Sequence, residues 1–131
     1  MQNGSMVLPD GTAAIPRARR TRWFWERMRG LLGTKTLANG EGLLISPCGA
    51  VHTVGMRYPL DLVFLDAKGR VVRTVADVPP GRLAVSGGVR ARATLEVRAG
   101  WLDLAALEGR VLRWRASSKD EVRRTKDEGE R

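Results

Sequence analysis

The sequence predicts one small, mainly β domain of the α+β class: a bent antiparallel sheet or a partly closed β-barrel with two helices. Three observations support this. The chain has 131 residues, 43% of them hydrophobic, which suits a single core. Residues 21–32 have helical apolar spacing, and from Glu41 onward the apolar residues fall in short segments separated by turn residues. The second helix is short and lies near the C-terminal end of the domain.

The first element is a predicted hairpin over residues 6–19. Its turn is Pro9-Asp10-Gly11, in which proline presets φ, aspartate binds the backbone and glycine accepts a positive φ. Pro16 lacks a backbone N–H, so we expect the second arm to be an edge strand.

The second element is an amphipathic helix over residues 21–32, capped by Thr21 and stopped by Gly33. Its apolar stripe consists of Phe24, Met28, Leu31 and Leu32. Trp23, Trp25 and the neighbouring arginines could form a stacking and phosphate platform. The simpler interpretation is a helix laid across the sheet with its basic face in water.

Short strands follow, joined by a predicted turn at residues 66–69 and an irregular loop over residues 81–91. A short helix is expected over residues 102–107. The predicted strands cover residues 43–46, 50–55, 60–65, 70–78, 93–98 and 111–114. The predicted organisation is an N-terminal segment with a partly ordered hairpin arm (1–12), one globular domain (13–116) and a charged, disordered tail (117–131).

The charge is concentrated at the two ends of the chain. The net charge is +9, of which residues 36–109 contribute +1, since they hold eight basic and seven acidic groups. Basic ends attract nucleic acid or an acidic partner, although they often serve only solvation. No apolar run approaches the ~20 residues of a membrane helix. A single cysteine and no recognisable secretory signal predict a cytoplasmic protein.

The candidate chemistry lies between Cys48 and Asp66, a stretch that contains the only cysteine, histidine and tyrosine of the chain. The enzymatic hypothesis gives each of three residues a role: Cys48 is the nucleophile, His52 is the base and Asp61 is the orienting group. A second hypothesis is a metal site formed by Cys48, His52 and Met56. These side chains suit copper(I) or zinc, but three ligands leave the site incomplete. The structural alternative makes Cys48 a small buried hydrophobe.

Asp61 opens the most apolar strand, on the face shared with Val63 and Leu65, where an unpaired charge would be costly. We expect it to have donors, either loop N–H groups or side chains of the preceding segment, and to staple residues 52–59 to the sheet. A role as a catalytic acid or base is the alternative. Glu96 raises the same question, but it could simply face water opposite Arg98.

Three segments of the chain carry a family pattern: RGLLG at residues 29–33, HTVGMRYPLDLVFLDAKGRVV at 52–72 and LEVRAG at 95–100. In their order and spacing they resemble the family catalogued as domain of unknown function 192. The chain departs from the usual pattern at Leu32 and around residues 52–56. The matching residues are Gly30, Leu31, Pro59, Leu60, Asp61, Phe64, Leu95, Glu96 and Gly100. The resemblance implies a compact, mostly β fold with a helix packed on it. It assigns no activity to the chain.

Three function classes remain. The preferred one is an accessory or binding domain whose pocket takes a small ligand or a protein segment. Its predicted binding residues are His52, Thr53, Met56, Tyr58 and Asp61, next to Cys48. The others are an enzyme using Cys48 or His52 with Asp61, and a basic adaptor whose ends contact nucleic acid or an acidic partner. No cofactor is predicted, because the sequence has no phosphate loop or dinucleotide fingerprint.

Overall fold

The computed structural model describes residues 2–21 and 37–117. Within these ranges the chain forms nine strands and one short helix. The strands are β1 (Gln2–Val7), β2 (Ala13–Arg20), β3 (Glu41–Ile45), β4 (Ala50–Val51), β5 (Leu60–Leu65), β6 (Val71–Val78), β7 (Val85–Ser86), β8 (Ala93–Arg98) and β9 (Arg113–Ala116). The helix, α1, is Leu104–Leu107.

The mainly β class is confirmed, and most predicted strands form near their predicted positions. The described strands make a seven-stranded sheet in the order β6-β5-β8-β3-β2-β1-β9 and a separate two-stranded sheet of β4 and β7. Two predicted strands are shorter or displaced: residues 50–55 pair only at Ala50–Val51, and the last strand begins at Arg113 rather than at residue 111. The predicted helix at 21–32 lies outside the described residues except for Thr21, as does the tail beyond Ser117.

The predicted bent antiparallel sheet or partly closed β-barrel differs from the structure in two respects. First, β2 and β3 pair in parallel. Parallel neighbours need a connection of a dozen or more residues, and β2 and β3 are separated by twenty residues in the sequence. Second, the sheet is open, because β6 and β9 are its edge strands. Their near ends meet only through the isolated bridge Arg70–Val111 and adjacent backbone hydrogen bonds.

The hairpin β1–β2 is confirmed, but its second arm is not an edge strand. β2 lies between β1 and β3. Pro16 falls at a register shift between the pairs Met6–Ile15 and Gly4–Ala18. A bulge leaves a residue outside the ladder, so the missing N–H of proline costs no hydrogen bond there.

The large sheet carries an apolar core on each face, which is why all six residues of β5 are buried. The first core includes Val63 and Leu65, with Trp101, Leu102 and Leu104 packed against it. The second core includes Leu60, Leu62 and Phe64. Among the described residues, no helix is long and apolar enough to cross a membrane.

Candidate functional site

Asp61 is held by the two strands that flank β5. Its side chain is 4% exposed. One carboxylate oxygen, Oδ1, accepts the backbone N–H of Asp77 at 2.8 Å, and Oδ2 accepts that of Gly100 at 3.2 Å. Asp77 belongs to a bulge in β6, and Gly100 follows β8. The predicted need for N–H donors is therefore met, but the predicted staple to residues 52–59 is wrong, because both donors lie elsewhere.

The bulge explains why an acid occupies this position. Leu60 pairs with Val78 and Leu62 pairs with Val75, so two residues of β6 stand opposite Asp61 alone. A bulge leaves an N–H without a ladder partner, and the Asp61 carboxylate accepts the N–H of Asp77. Asp77 itself has a φ of 54°.

A recess of about 430 Å³ opens beside Asp61. Three of the residues around it are acidic: the buried Asp61 and the exposed Asp77 and Asp103. The Asp103 side chain also caps α1 by accepting the N–H of Ala106 at 3.3 Å. The rest of the wall is apolar or backbone, formed by Pro59, Ala76, Ala99, Gly100, Leu102 and Leu104. We call this feature the Asp61 recess.

Cys48 lies on the other face of the sheet. Its thiol donates to the carbonyl of Ala50 at 2.9 Å and packs against the second core. Its backbone is held by Arg92 and by the hydroxyl of Thr94, whose partner on β5 is Phe64. Cys48 therefore neighbours the end of β5, while Asp61 stands at its beginning and points to the first core.

Thr53 joins two loops. Its side chain is fully buried, and its hydroxyl donates to the carbonyl of Pro79 at 2.8 Å and accepts the N–H of Arg82 at 2.9 Å. The neighbouring His52 is half-buried, and its Nδ1 has no hydrogen-bond partner in the described part of the chain. These contacts give Thr53 a structural role and bring neither residue into hydrogen bonding with Asp61.

Tyr58 belongs to the second core, and the partly buried Met56 packs against it. The Tyr58 hydroxyl accepts the backbone N–H of Leu37, and the guanidinium of Arg98 lies 4.6 Å from the centre of its ring. Burial raises the pKa of Tyr58 above its usual value. Of the predicted binding residues, only Asp61 lines the recess.

Glu96 does not face water, contrary to the sequence-based suggestion. It is 2% exposed and lies between Leu43 of β3 and Leu62 of β5, on the second-core face. Burial raises the pKa of its carboxyl to about 8. β8 is an interior strand that is covered on both faces. The alternation of apolar and polar residues along one strand does not show whether its second face is also covered.

A metal site formed by Cys48, His52 and Met56 stays a hypothesis. Within residues 2–21 and 37–117, no three His, Cys, Asp or Glu side chains are arranged to hold a metal ion.

Sequence reasoning missed Asp77 and Asp103. The sequence contains a signal for Asp103, since an aspartate before Leu-Ala-Ala-Leu is an N-cap pattern. It contains no signal that places Asp77 beside Asp61, because that position depends on the bulge in β6.

Comparison with known proteins agrees with this fold. The sequence profile of the family DUF192, described as an uncharacterized ACR, matches residues 7–114. The chain belongs to the DUF192 family. Asp61 and Glu96, two of the residues on which the resemblance was based, are the two buried carboxyls of β5 and β8.

Two solved structures are similar to this DUF192 domain. One is a protein of unknown function from Novosphingobium aromaticivorans, with a TM-score of 0.68 and 21% identity, covering 87% of this chain and 86% of that one. The other, from Sinorhizobium meliloti, is described as a candidate transcription regulator; its TM-score is 0.70 with 16% identity, covering 86% of this chain and 92% of that one. At such identities the likeness shows the fold alone. No curated protein matches the chain.

Proposed function

We propose that this domain is a binding module whose Asp61 recess takes up a positively charged organic group, such as a lysine or arginine side chain or an aliphatic amine. The observation that carries the proposal is the concentration of three carboxylates around one open recess in a chain of net charge +9. Its volume, about 430 Å³, lies within the ~300–1,000 Å³ of small-molecule pockets.

The chemistry of the walls narrows the ligand class. Leu102, Leu104 and Ala76 offer apolar contact, and Asp77 and Asp103 place charge at the solvent side. An aliphatic chain ending in an ammonium or guanidinium group would use both kinds of surface, because charge-assisted hydrogen bonds are the strong ones. The net positive charge of the protein repels such a ligand at long range, so attraction must come from the local carboxylates.

The competing interpretation is purely structural. Both oxygens of Asp61 already accept backbone N–H groups, and Asp103 caps a helix. The test must therefore remove charge without removing these roles. Asparagine is suitable at two positions, since it caps helices as well as aspartate does and tolerates the positive φ of residue 77.

The experiment titrates the full chain with agmatine, with cadaverine and with an uncharged diol of similar length, following the backbone amides of Asp77 and Gly100 by NMR. We expect saturable shifts with the two cations and none with the diol. The double variant Asp77→Asn/Asp103→Asn should weaken cation binding about tenfold, as expected for two lost charge-assisted contacts at an exposed site.

The matched control is Asp66→Asn, which removes one carboxylate charge from a turn outside the recess. Equal binding by the double variant and the wild type, or equal shifts with the diol, would refute the proposal. Binding lost equally in the control would assign the effect to net charge.

The enzyme hypothesis has less support. The Cys48 thiol and the Asp61 carboxylate lie at opposite ends and on opposite faces of β5, and neither is hydrogen-bonded to His52. The adaptor hypothesis rests on the basic ends of the chain and on the description of the Sinorhizobium protein. The test is retention on a polyanion column, with and without residues 117–131. If retention disappears when these residues are removed, the binding is an effect of the tail and the adaptor hypothesis loses its support.

A further inference from the structure

The strongly exposed aliphatic side chains of the described residues occur in two adjoining loops. Val54 is 44% exposed, Leu83 is 85% exposed and Val89 is 91% exposed. Val54 lies in the segment 52–57, and the other two lie in the segment 79–92. Hydrogen bonds of Thr53 join these segments, and β4, which directly precedes the first segment, pairs with β7 of the second. We call them together the loop surface.

The loop surface is also uniformly basic. It carries four arginines, at positions 57, 82, 90 and 92, and no aspartate or glutamate. The Arg92 guanidinium donates to the carbonyl of Val89 at 2.8 Å and so supports the tip of the second loop. Exposed aliphatic groups beside positive charge suit a partner that is both anionic and apolar.

A basic recess adjoins Val89. It has a volume of about 430 Å³ and is lined by Arg70, Val71, Val72, Gly87, Val89 and Arg90. It shares no lining residue with the Asp61 recess. Two arginines at an open recess provide a place for a phosphate group.

We propose that the loop surface binds the surface of an anionic phospholipid membrane, with Leu83 and Val89 entering between the headgroups and the arginines contacting lipid phosphates. Lipid fits better than nucleic acid, because the two segments contain no phenylalanine, tyrosine or tryptophan on which a base could stack, and their one imidazole, His52, is half-buried. It also fits better than a protein partner, because almost fully exposed aliphatic tips need no matching pocket in a bilayer.

The loops are pre-ordered for such binding. The buried Thr53 fixes residues 79–82, and Gly87 N–H donates to the carbonyl of Gly49 at 2.9 Å. Gly87 also packs against Phe64 so closely that a Cβ at this position would lie 2.4 Å from the ring. Binding therefore costs little additional ordering of the backbone.

The test is sedimentation of the full chain with vesicles of phosphatidylcholine alone and with an equimolar mixture of phosphatidylcholine and phosphatidylglycerol. We expect binding to the mixed vesicles and little to the neutral ones. Leu83→Ser/Val89→Ser should lower the partition coefficient about tenfold through lost apolar burial. Arg82→Gln/Arg90→Gln should lower it about thirtyfold.

The matched control is Arg113→Gln/Arg115→Gln, which removes two exposed charges from the edge strand β9. This variant should retain vesicle binding to within about threefold, and thermal melts should show that all variants fold. If binding survives Leu83→Ser/Val89→Ser, or falls equally in the control, it depends on overall charge and the proposal is overturned. The proposal is also overturned if the protein does not bind the mixed vesicles, or if free inorganic phosphate alone competes for binding.

Discussion

At the scale of single residues, two buried carboxyls illustrate opposite solutions to the cost of burying an acid. Asp61 accepts two backbone N–H groups. Glu96 lies between leucines, and the carboxyl has a pKa of about 8 because burial disfavours its charged form. The first residue stabilises the fold through its hydrogen bonds, whereas the second is tolerated in its neutral form.

Removing the Asp61 carboxylate should destabilise the domain. Asp61→Ala leaves two N–H groups without their acceptor, and we expect a loss of about 2–4 kcal/mol in the free energy of unfolding, measured by urea denaturation. Asp66→Ala is the control, because Asp66 also accepts two backbone N–H groups but in an exposed turn. A loss at Asp61 no larger than the loss at Asp66 would contradict the structural role.

Glu96 should make stability depend on pH. Its pKa in the folded state, about 8, is higher than its ordinary value of 4.5, so the folded chain holds a proton that the unfolded chain releases. This contribution is fully present below about pH 4.5 and is lost as the pH rises to about 8, at up to ~1.4 kcal/mol per pH unit.

The variant Glu96→Gln cannot ionise and should lack this slope, so that its stability relative to the wild type rises between about pH 4.5 and about pH 8. Urea midpoints measured across this pH range test the expectation. Glu108→Gln, at an exposed position, should keep the wild-type slope. A slope that persists in Glu96→Gln would show that another group causes it.

At the scale of elements, the domain depends on side chains that replace missing backbone pairing. β4 and β7 are only two residues each, and the loops around them have few ladder hydrogen bonds. The Thr53 hydroxyl supplies two hydrogen bonds between these loops. Asp61 does the same at the bulge in β6.

Thr53→Val should therefore loosen the loop surface while preserving the shape of the side chain. We expect a loss of about 1–3 kcal/mol in the free energy of unfolding and faster hydrogen exchange at the amide of Arg82. Thr53→Ser keeps the hydroxyl and should show slow exchange at that amide. Slow exchange in Thr53→Val would mean that the backbone alone fixes these loops.

At the scale of the whole molecule, the two edges of the large sheet meet at one point. The carbonyl of Gly69 accepts the N–H of Leu112 at 2.9 Å, just before β9, and Arg70 bridges to Val111. This contact brings the turn before β6 against the far edge of the sheet. The sheet stays open, but its ends are connected.

Gly69→Ala should break this junction. A Cβ would lie 2.5 Å from the carbonyl oxygen of Leu112, and the φ of +83° also disfavours alanine. Gly11→Ala is the matched control, because Gly11 has a φ of +89° with no atom within 4 Å of the added Cβ. Thermal unfolding should show a larger decrease in Tm for Gly69→Ala than for Gly11→Ala. Equal decreases would show that the junction contributes nothing.

The sequence by itself determined the mainly β class, the family, the first hairpin and the buried strand at residues 60–65, because turn residues and apolar patterns act over a few neighbouring residues. It also predicted that Asp61 would need donors, since an unpaired buried charge is costly wherever it lies.

Only the tertiary structure decided which groups donate to Asp61, that Glu96 is buried, that β2 lies inside the sheet and that Cys48 and Asp61 are on different faces. Each of these depends on strand order and register, which bring together residues far apart in the chain. A local pattern carries no information about which strand will be the neighbour.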